Sequence, residues 1–259
     1  MIFIHSVGYE CDALRDKAQL LADSLHYVLD KEACPCLFVS AQQLALKMKN
    51  FSLLSADFSA VTWSQRRSQG KKQGLVRACK PKKGIKIMDL TAGWGRDAAV
   101  LASFGAQVMM IERHPIMASL LSDALAHQHE LDKQQMHLSL YAGDAYTYLN
   151  TLRREEYPDV IYIDPMHPER NKSALVKKEM QALQQIIGMD EDALALIQLA
   201  ITCVTHRVVV KWPQKIKPLL VADASIEGKT VRFDIYFPHE KALYESASQV
   251  EKIRPYVMG

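Results

Sequence analysis

The sequence predicts an α/β fold: a Rossmann-like, mostly parallel sheet covered by helices on both faces, behind a small N-terminal α+β unit. Three observations carry this. Short apolar runs with the composition of buried strands recur at residues 85–90, 107–111, 136–141, 159–163, 207–211 and 230–237. Helical stretches separate most of them, the alternation that builds a parallel sheet. The first four runs lead into acidic residues, Asp89, Glu112, Asp144 and Asp164. In an open α/β sheet the ligand lies across the carboxyl ends of the strands, so four acids at four successive ends point to one site.

Taken in order, residues 1–60 read as the N-terminal unit, with a strand at 2–7 and a helix at 12–29. Short strands follow at 37–39, 44–48 and 53–58. Leu44, Leu46 and Met48 alternate with smaller or polar residues, the period of a half-buried strand; a helix from Ser40 is the alternative. Residues 61–84 form a basic loop, marked by Gly70 and Gly74, that becomes a helix at 75–79. The main domain then runs from 85 to 259. Its first strand leads to a helix at 96–104 closed by Gly105 as a C-cap. The second leads to a helix with Pro115 in its first turn, reaching about 128. A helix at 145–153 follows the third strand, and one at 173–187 the fourth. Asp190 caps another helix through 203, ahead of the strands at 207–211 and 230–237.

A chain of 259 residues with 49% hydrophobic content can bury one large core. It contains no uninterrupted apolar stretch of about 18 residues. Met1-Ile2-Phe3-Ile4-His5 lacks the basic lead and long apolar segment of a signal peptide. Five irregularly spaced cysteines fit a reducing cytoplasm. Cys34-Pro35-Cys36 has no second pair at zinc-site spacing, and His114, His127 and His129 read as surface residues, so no metal is expected. Between Asp57 and Asp89 there is no acidic residue, while Arg66, Arg67, Lys71, Lys72, Arg77, Lys80, Lys82, Lys83 and Lys86 fall inside that window. So unbalanced a run just before a glycine loop points to a polyanion.

The loop itself is Asp89-Leu90-Thr91-Ala92-Gly93-Trp94-Gly95-Arg96-Asp97. Gly93-x-Gly95-x-x-Ala98 fits the dinucleotide fingerprint, with Glu112 near the distance of its ribose-binding acid. Spacing alone therefore leaves a nicotinamide cofactor open. Charge separates the choices, because Asp97 sits in the first helical turn, where a pyrophosphate would dock and be repelled. A ligand carrying a sulfonium and an ammonium group suits Asp89 and Asp97 better: S-adenosylmethionine. Gly93 gives room to such a ligand, Arg96 and Asp97 can grip its methionine part, and Glu112 can accept from both ribose hydroxyls. Arg113 can flank the adenine. Asp144 can accept from the adenine amino group, with Gly143 letting the ring approach.

Asp164-Pro165-Met166-His167-Pro168 has the position and approximate form of the (Asp/Asn)-Pro-Pro-(aromatic) signature of enzymes that methylate exocyclic amino nitrogens. With Asp89–Asp97, Glu112-Arg113, the run from Lys172 to Met180 and Arg232-Phe233-Asp234-Ile235-Tyr236, the chain from about residue 60 onward resembles the RsmJ-type small-subunit (16S) ribosomal RNA guanine-N2 methyltransferases. The resemblance implies a class I methyltransferase sheet of seven strands, the last antiparallel, with S-adenosylmethionine as cofactor. It implies small-subunit ribosomal RNA or the 30S particle as partner. Asp164 and Pro165 would be catalytic, their carboxylate and carbonyl accepting from the target amino group and freeing its lone pair. His167 would wall the flipped base. Arg66, Arg67, Lys71, Lys72, Lys172, Lys177 and Lys178 would contact RNA. Three rivals stay open on sequence: a DNA adenine amino-methyltransferase, an NAD-dependent oxidoreductase, and a non-catalytic RNA-binding module.

Overall fold

A computed structural model of the chain describes residues 3–59, 63, 67–68, 70–166 and 192–238. The N-terminal segment builds a four-stranded sheet from β1 (Ser6–Tyr9), β2 (Val28–Leu29), β3 (Cys36–Val39) and β4 (Leu44–Lys47), in the order β2-β1-β3-β4. The helix expected over 12–29 is shorter. A 3-10 turn leads into α1 (Arg15–Leu25), and His26 then takes a left-handed conformation (φ 57°) and ends it. That turn frees residues 28–29 to pair in parallel with β1. The strand expected over 53–58 reduces to one bridge, Leu54 to Leu46.

The larger sheet has seven strands. They are β5 (Lys86–Asp89), β6 (Gln107–Glu112), β7 (His137–Ala142), β8 (Val160–Ile163), β9 (Arg207–Pro213), β10 (Ala224–Glu227) and β11 (Val231–Tyr236). Their order is β10-β11-β9-β8-β5-β6-β7, and β11 pairs antiparallel with both neighbours. The expected inserted final strand is therefore present, while the edge strand β10 has no counterpart among the strands located from sequence. The Ser225 hydroxyl of β10 donates to Asp234 of β11 at 2.9 Å. The Arg232 Nε donates to both Asp234 oxygens at 2.9 and 3.0 Å, and its terminal N–H groups donate to the carbonyls of Pro213, Gln214 and Ile216, tying β11 to the end of β9.

The helices are α2 (Gly74–Cys79), α3 (Arg96–Ala102), α4 (Pro115–Ala126), α5 (Glu130–Gln135), α6 (Ala145–Leu149) and α7 (Ala193–Thr202). Gly105 adopts φ 88° and its N–H closes the end of α3 on Ala102. α5 was not anticipated. α6 stops short of residue 153 because Asn150 and Thr151 turn their side chains onto the carbonyls of Tyr146 and Tyr148. Asp190, expected to cap α7, and the helix expected at 173–187 lie outside the described residues; Asp192 holds the N-cap position of α7.

Alternate residues of the central strands feed two cores, as a strand's period of two requires. Ile87, Val108, Val160, Tyr162 and Val209 join α2, α3, α4 and the N-terminal sheet; Met88, Ile111, Ile161, Ile163 and Val210 join α6 and α7. The small sheet thus shares one core with the large one. Asp123 of α4 reinforces the contact by accepting from the Leu44 N–H at 2.7 Å.

Candidate active site

After β5 the chain moves to β6 and β7; after β8 it moves the other way. Connections diverge between β5 and β8, and such a switch point opens a crevice at the strand ends. The two loops leaving it are stitched together. The Leu90 N–H donates to the Tyr162 carbonyl (3.0 Å) and the Asp164 N–H to the Thr91 hydroxyl (2.7 Å). Gly93 and Gly95 adopt φ 53° and 67°, left-handed values that favour glycine. At Gly95 a Cβ would lie 2.7 Å from the Phe58 ring and 2.9 Å from Leu121. The N-terminal segment therefore presses directly beneath the loop. Above it lies a cavity of about 280 Å³.

At one end of this cavity, backbone groups hold the carboxylates. Glu112, buried at the end of β6, accepts from the Gly93 N–H and the His114 N–H, both at 2.8 Å. Each oxygen takes one of these bonds, and an ionised carboxylate offers about two acceptor sites per oxygen. Asp144 caps α6 by accepting from the Thr147 N–H at 2.7 Å. Arg113 reaches across the rim to Asp192 at 2.9 Å. Asp192 makes no side-chain cap to its own helix; its carboxylate joins the start of α7 to the Glu112 loop instead.

At the other end one ammonium group organises the carboxylates. Lys211, on β9, lies 2.6 Å from Asp164 Oδ2 and 3.3 Å from Asp97 Oδ2. The Tyr162 hydroxyl donates to the same Asp97 oxygen at 2.6 Å. Burial works against the Lys211 charge, but Asp97 and Asp164 more than offset it and raise its pKa above the ordinary lysine value. Burial, then the same two carboxylates, also raises the Tyr162 phenol, which keeps it a donor. Asp89 is different again. It is 1% exposed, and burial pushes its pKa well above the usual carboxylate range, with Asp97, Asp164 and Glu112 adding to the rise.

A family of SAM-dependent methyltransferases matches residues 20–238. Ribosomal RNA small subunit methyltransferase J from Legionella pneumophila (strain Lens) is 66% identical over 235 residues, covering 91% of this chain and 97% of that one. The chain belongs to the ribosomal RNA small subunit methyltransferase J family. The member from Nitrosococcus oceani is 42% identical over 217 residues, 78% of this chain and 84% of the other. A crystal structure of a SAM-dependent methyltransferase from Neisseria gonorrhoeae superposes with a TM-score of 0.68 at 26% identity, covering 90% of this chain and 96% of that one. Membership in this family makes S-adenosylmethionine the cofactor and removes the nicotinamide reading. The cavity fits that cofactor, since among the described residues six carboxyl groups and three basic groups line it, a net charge suited to a cation.

Within the family frame, Asp89, Gly93, Arg96, Asp97, Glu112, Arg113, Asp144, Asp164 and Pro165 all line the cavity. Four expected residues meet a setting other than the one the sequence suggests. Gly143 is not among the lining residues, and a Cβ there would lie 2.6 Å from the Tyr141 ring. Asp89 is 1% exposed and burial raises its pKa, so of the lining acids it is the one whose charge burial opposes most. Asp97 is not a bare charge at a helix start, because Lys211 and Tyr162 engage it; the case against a phosphate rests on the whole lining. His114, expected on the surface, is half-buried, and its Nδ1 has no partner among the described residues. Trp212 is buried in the core and donates to the Lys217 carbonyl. Arg67 and Lys72 are exposed. Arg66, His167, Lys172, Lys177 and Lys178, and the Lys71 side chain, lie outside the described residues. Sequence reasoning missed Thr91, Tyr162 and Asp192, and did not give Lys211 its place between two acids. The strand-end rule does place Lys211 on the site side of the sheet, bordering the pocket; its meeting with both Asp97 and Asp164 is what the sequence leaves out.

Proposed function

We propose that this chain transfers a methyl group from S-adenosylmethionine to the N2 amino group of a guanine in small-subunit ribosomal RNA, in the cytoplasm, where its five free thiols stay reduced. The observation that carries the amino-methylating chemistry is Asp164-Pro165 lining the same cavity as the glycine loop, with the Asp164 carboxylate anchored by Lys211. The ribosomal substrate is supported by the relatives' names, and guanine N2 by the resemblance of the motif. When bound, the cofactor supplies a methyl group made electrophilic by its sulfonium.

The remaining work falls to the chain. Glu112 takes the ribose hydroxyls, Asp144 the adenine amino group, and Arg96 with Asp97 the methionine end. The guanine amino group shares its lone pair with the ring and is a poor nucleophile. Hydrogen bonds from it to Asp164 and to the Pro165 carbonyl favour a pyramidal nitrogen, and holding nitrogen, methyl and sulfur in line gives most of the acceleration. As the nitrogen–carbon bond forms, the carbon–sulfur bond breaks and the nitrogen sheds a proton. A protonated aryl amine is acidic enough for water to take it, so Asp164 is needed as an acceptor rather than as a base.

The test is labelled methyl transfer to stripped small-subunit RNA, assembled small subunits and DNA, followed by nucleoside analysis. N2-methylguanosine from the ribosomal substrates is expected. Label in adenine, or in DNA alone, would sink the proposal. Asp164→Ala should lower the transfer rate on the order of a hundredfold, the usual cost of losing one preorganised partner of the reacting group, while RNA affinity stays near parental. A parental rate in that variant would refute the amino-activation step.

A further inference from the structure

Lys72, Arg77, Lys80, Lys82 and Lys83 of the basic window follow one flank of the molecule. α2 starts at the level of the cavity: a Cβ on Gly74 would lie 2.5 Å from the Phe233 ring, and Phe233 pairs with Lys211 in the sheet. The helix ends at the opposite edge, where Cys79, Lys80 and Lys82 line a depression with Val160 and Arg207, the first residues of β8 and β9. Leu75, Val76, Ala78 and Cys79 are buried on α2, which leaves Arg77 facing solvent. Lys72 before the helix and Lys80, Lys82 and Lys83 after it are exposed as well.

None of these five side chains makes an ion pair among the described residues, whereas Lys31, Lys133 and Arg153 elsewhere on the surface each hold a carboxylate. Asp159, beside the foot of the flank, is engaged by the Lys86 N–H and the Thr205 hydroxyl. From Lys211 to Arg207 is four strand steps, about 13 Å, or about four nucleotides of a stacked strand at roughly 3.4 Å each.

We infer that this flank is a phosphate track that carries the RNA strand away from the cavity, so that the enzyme grips several nucleotides beyond the target. The inference rests on RNA being the substrate. It adds that Arg77, Lys82 and Lys83 contact only RNA long enough to reach them.

The experiment is binding of nested RNA fragments, from the target loop alone to strands extended from it in either direction, to the full chain and to an Arg77→Gln/Lys82→Gln/Lys83→Gln variant. For the extended fragment the log–log salt slope should fall by about 2 in the variant, at about 0.7 per single-strand phosphate contact. The short loop should bind with parental slope, and S-adenosylmethionine affinity should be parental, which also reports folding. A variant with the same number of charges removed at Arg15, Lys17 and Lys49 should behave as the parent. Parental slopes on every fragment, or equal losses in the control variant, would overturn the track. So would an effect seen only on assembled subunits, which would assign the flank to a protein of the particle. Methyl incorporation by the parent chain reads the RNA-substrate proposal separately, so failure of one is distinguishable from failure of the other.

Discussion

The two ends of the cavity hold their carboxylates by different means. Glu112 and Asp144 are fixed by backbone N–H groups, which cannot titrate or swing away. Asp97 and Asp164 are fixed by a lysine and a phenol contributed by β9 and β8. One end is thus set by local chain geometry, the other by an ion pair assembled across the sheet. The first arrangement suits a group that recognises hydroxyls with constant geometry. The second gathers negative charge where the target amino group is proposed to bind; without a cation there, two carboxylates would repel each other and one would take up a proton.

Removing that cation is the sharpest way to break the contrast. Lys211→Met should lower methyl transfer on the order of a hundredfold. It should also shift the acid limb of the pH–rate profile toward neutral, because Asp164 then shares the site with Asp97 uncompensated. The stability loss should be on the order of 2 kcal/mol, less than a fully buried pair would cost, since these side chains are 22–29% exposed. Lys211→Arg should recover part of both. Superimposable pH profiles for Lys211→Met and the parent would show that the ammonium serves packing only.

At the other end, Glu112→Gln keeps the shape but removes the charge. S-adenosylmethionine affinity, measured by calorimetry, should drop roughly tenfold to a hundredfold, the equivalent of about 1.5–3 kcal/mol for a charge-assisted bond. Its pH profile should keep the parental form, unlike that of Lys211→Met. Unchanged affinity would remove Glu112 from the cofactor site.

The smallest effect concerns Asp89. Its folded pKa is raised, so it is neutral without penalty below its unfolded value near 3.8 and opposes folding as pH climbs toward the folded one. The melting temperature of Asp89→Asn minus that of the parent should therefore grow between pH 4 and pH 7. A constant or shrinking difference would mean the carboxyl is ionised where it sits.

The same contrast explains what could be read from the sequence. The acids at strand ends, the glycine loop and the strands at 85–90, 107–111 and 207–211 announce themselves through neighbours a few positions away. Asp144 capping α6 is a local signal of that kind. Lys211 is 47 residues from Asp164 and 114 from Asp97, so only the folded sheet reveals their meeting. β10 is four residues long and mostly exposed, and the Ser225–Asp234 bond that ties it to β11 is equally invisible in periodicity. The overextended first helix is a plainer case: nothing in the composition of residues 12–29 marks His26 as the residue that turns left-handed.

The contact of Phe58 and Leu121 on Gly95 has a consequence for synthesis. The N-terminal sheet leaves the ribosome first, yet one side of its core is supplied by α4, which follows some 60 residues later. A nascent chain ending near residue 84 would carry Leu44, Leu46, Leu54 and Phe58 with that side open to water. Such a chain is sticky until α4 emerges, so the covering of this core and the closing of the floor beneath the glycine loop both wait until about half of the chain has been made.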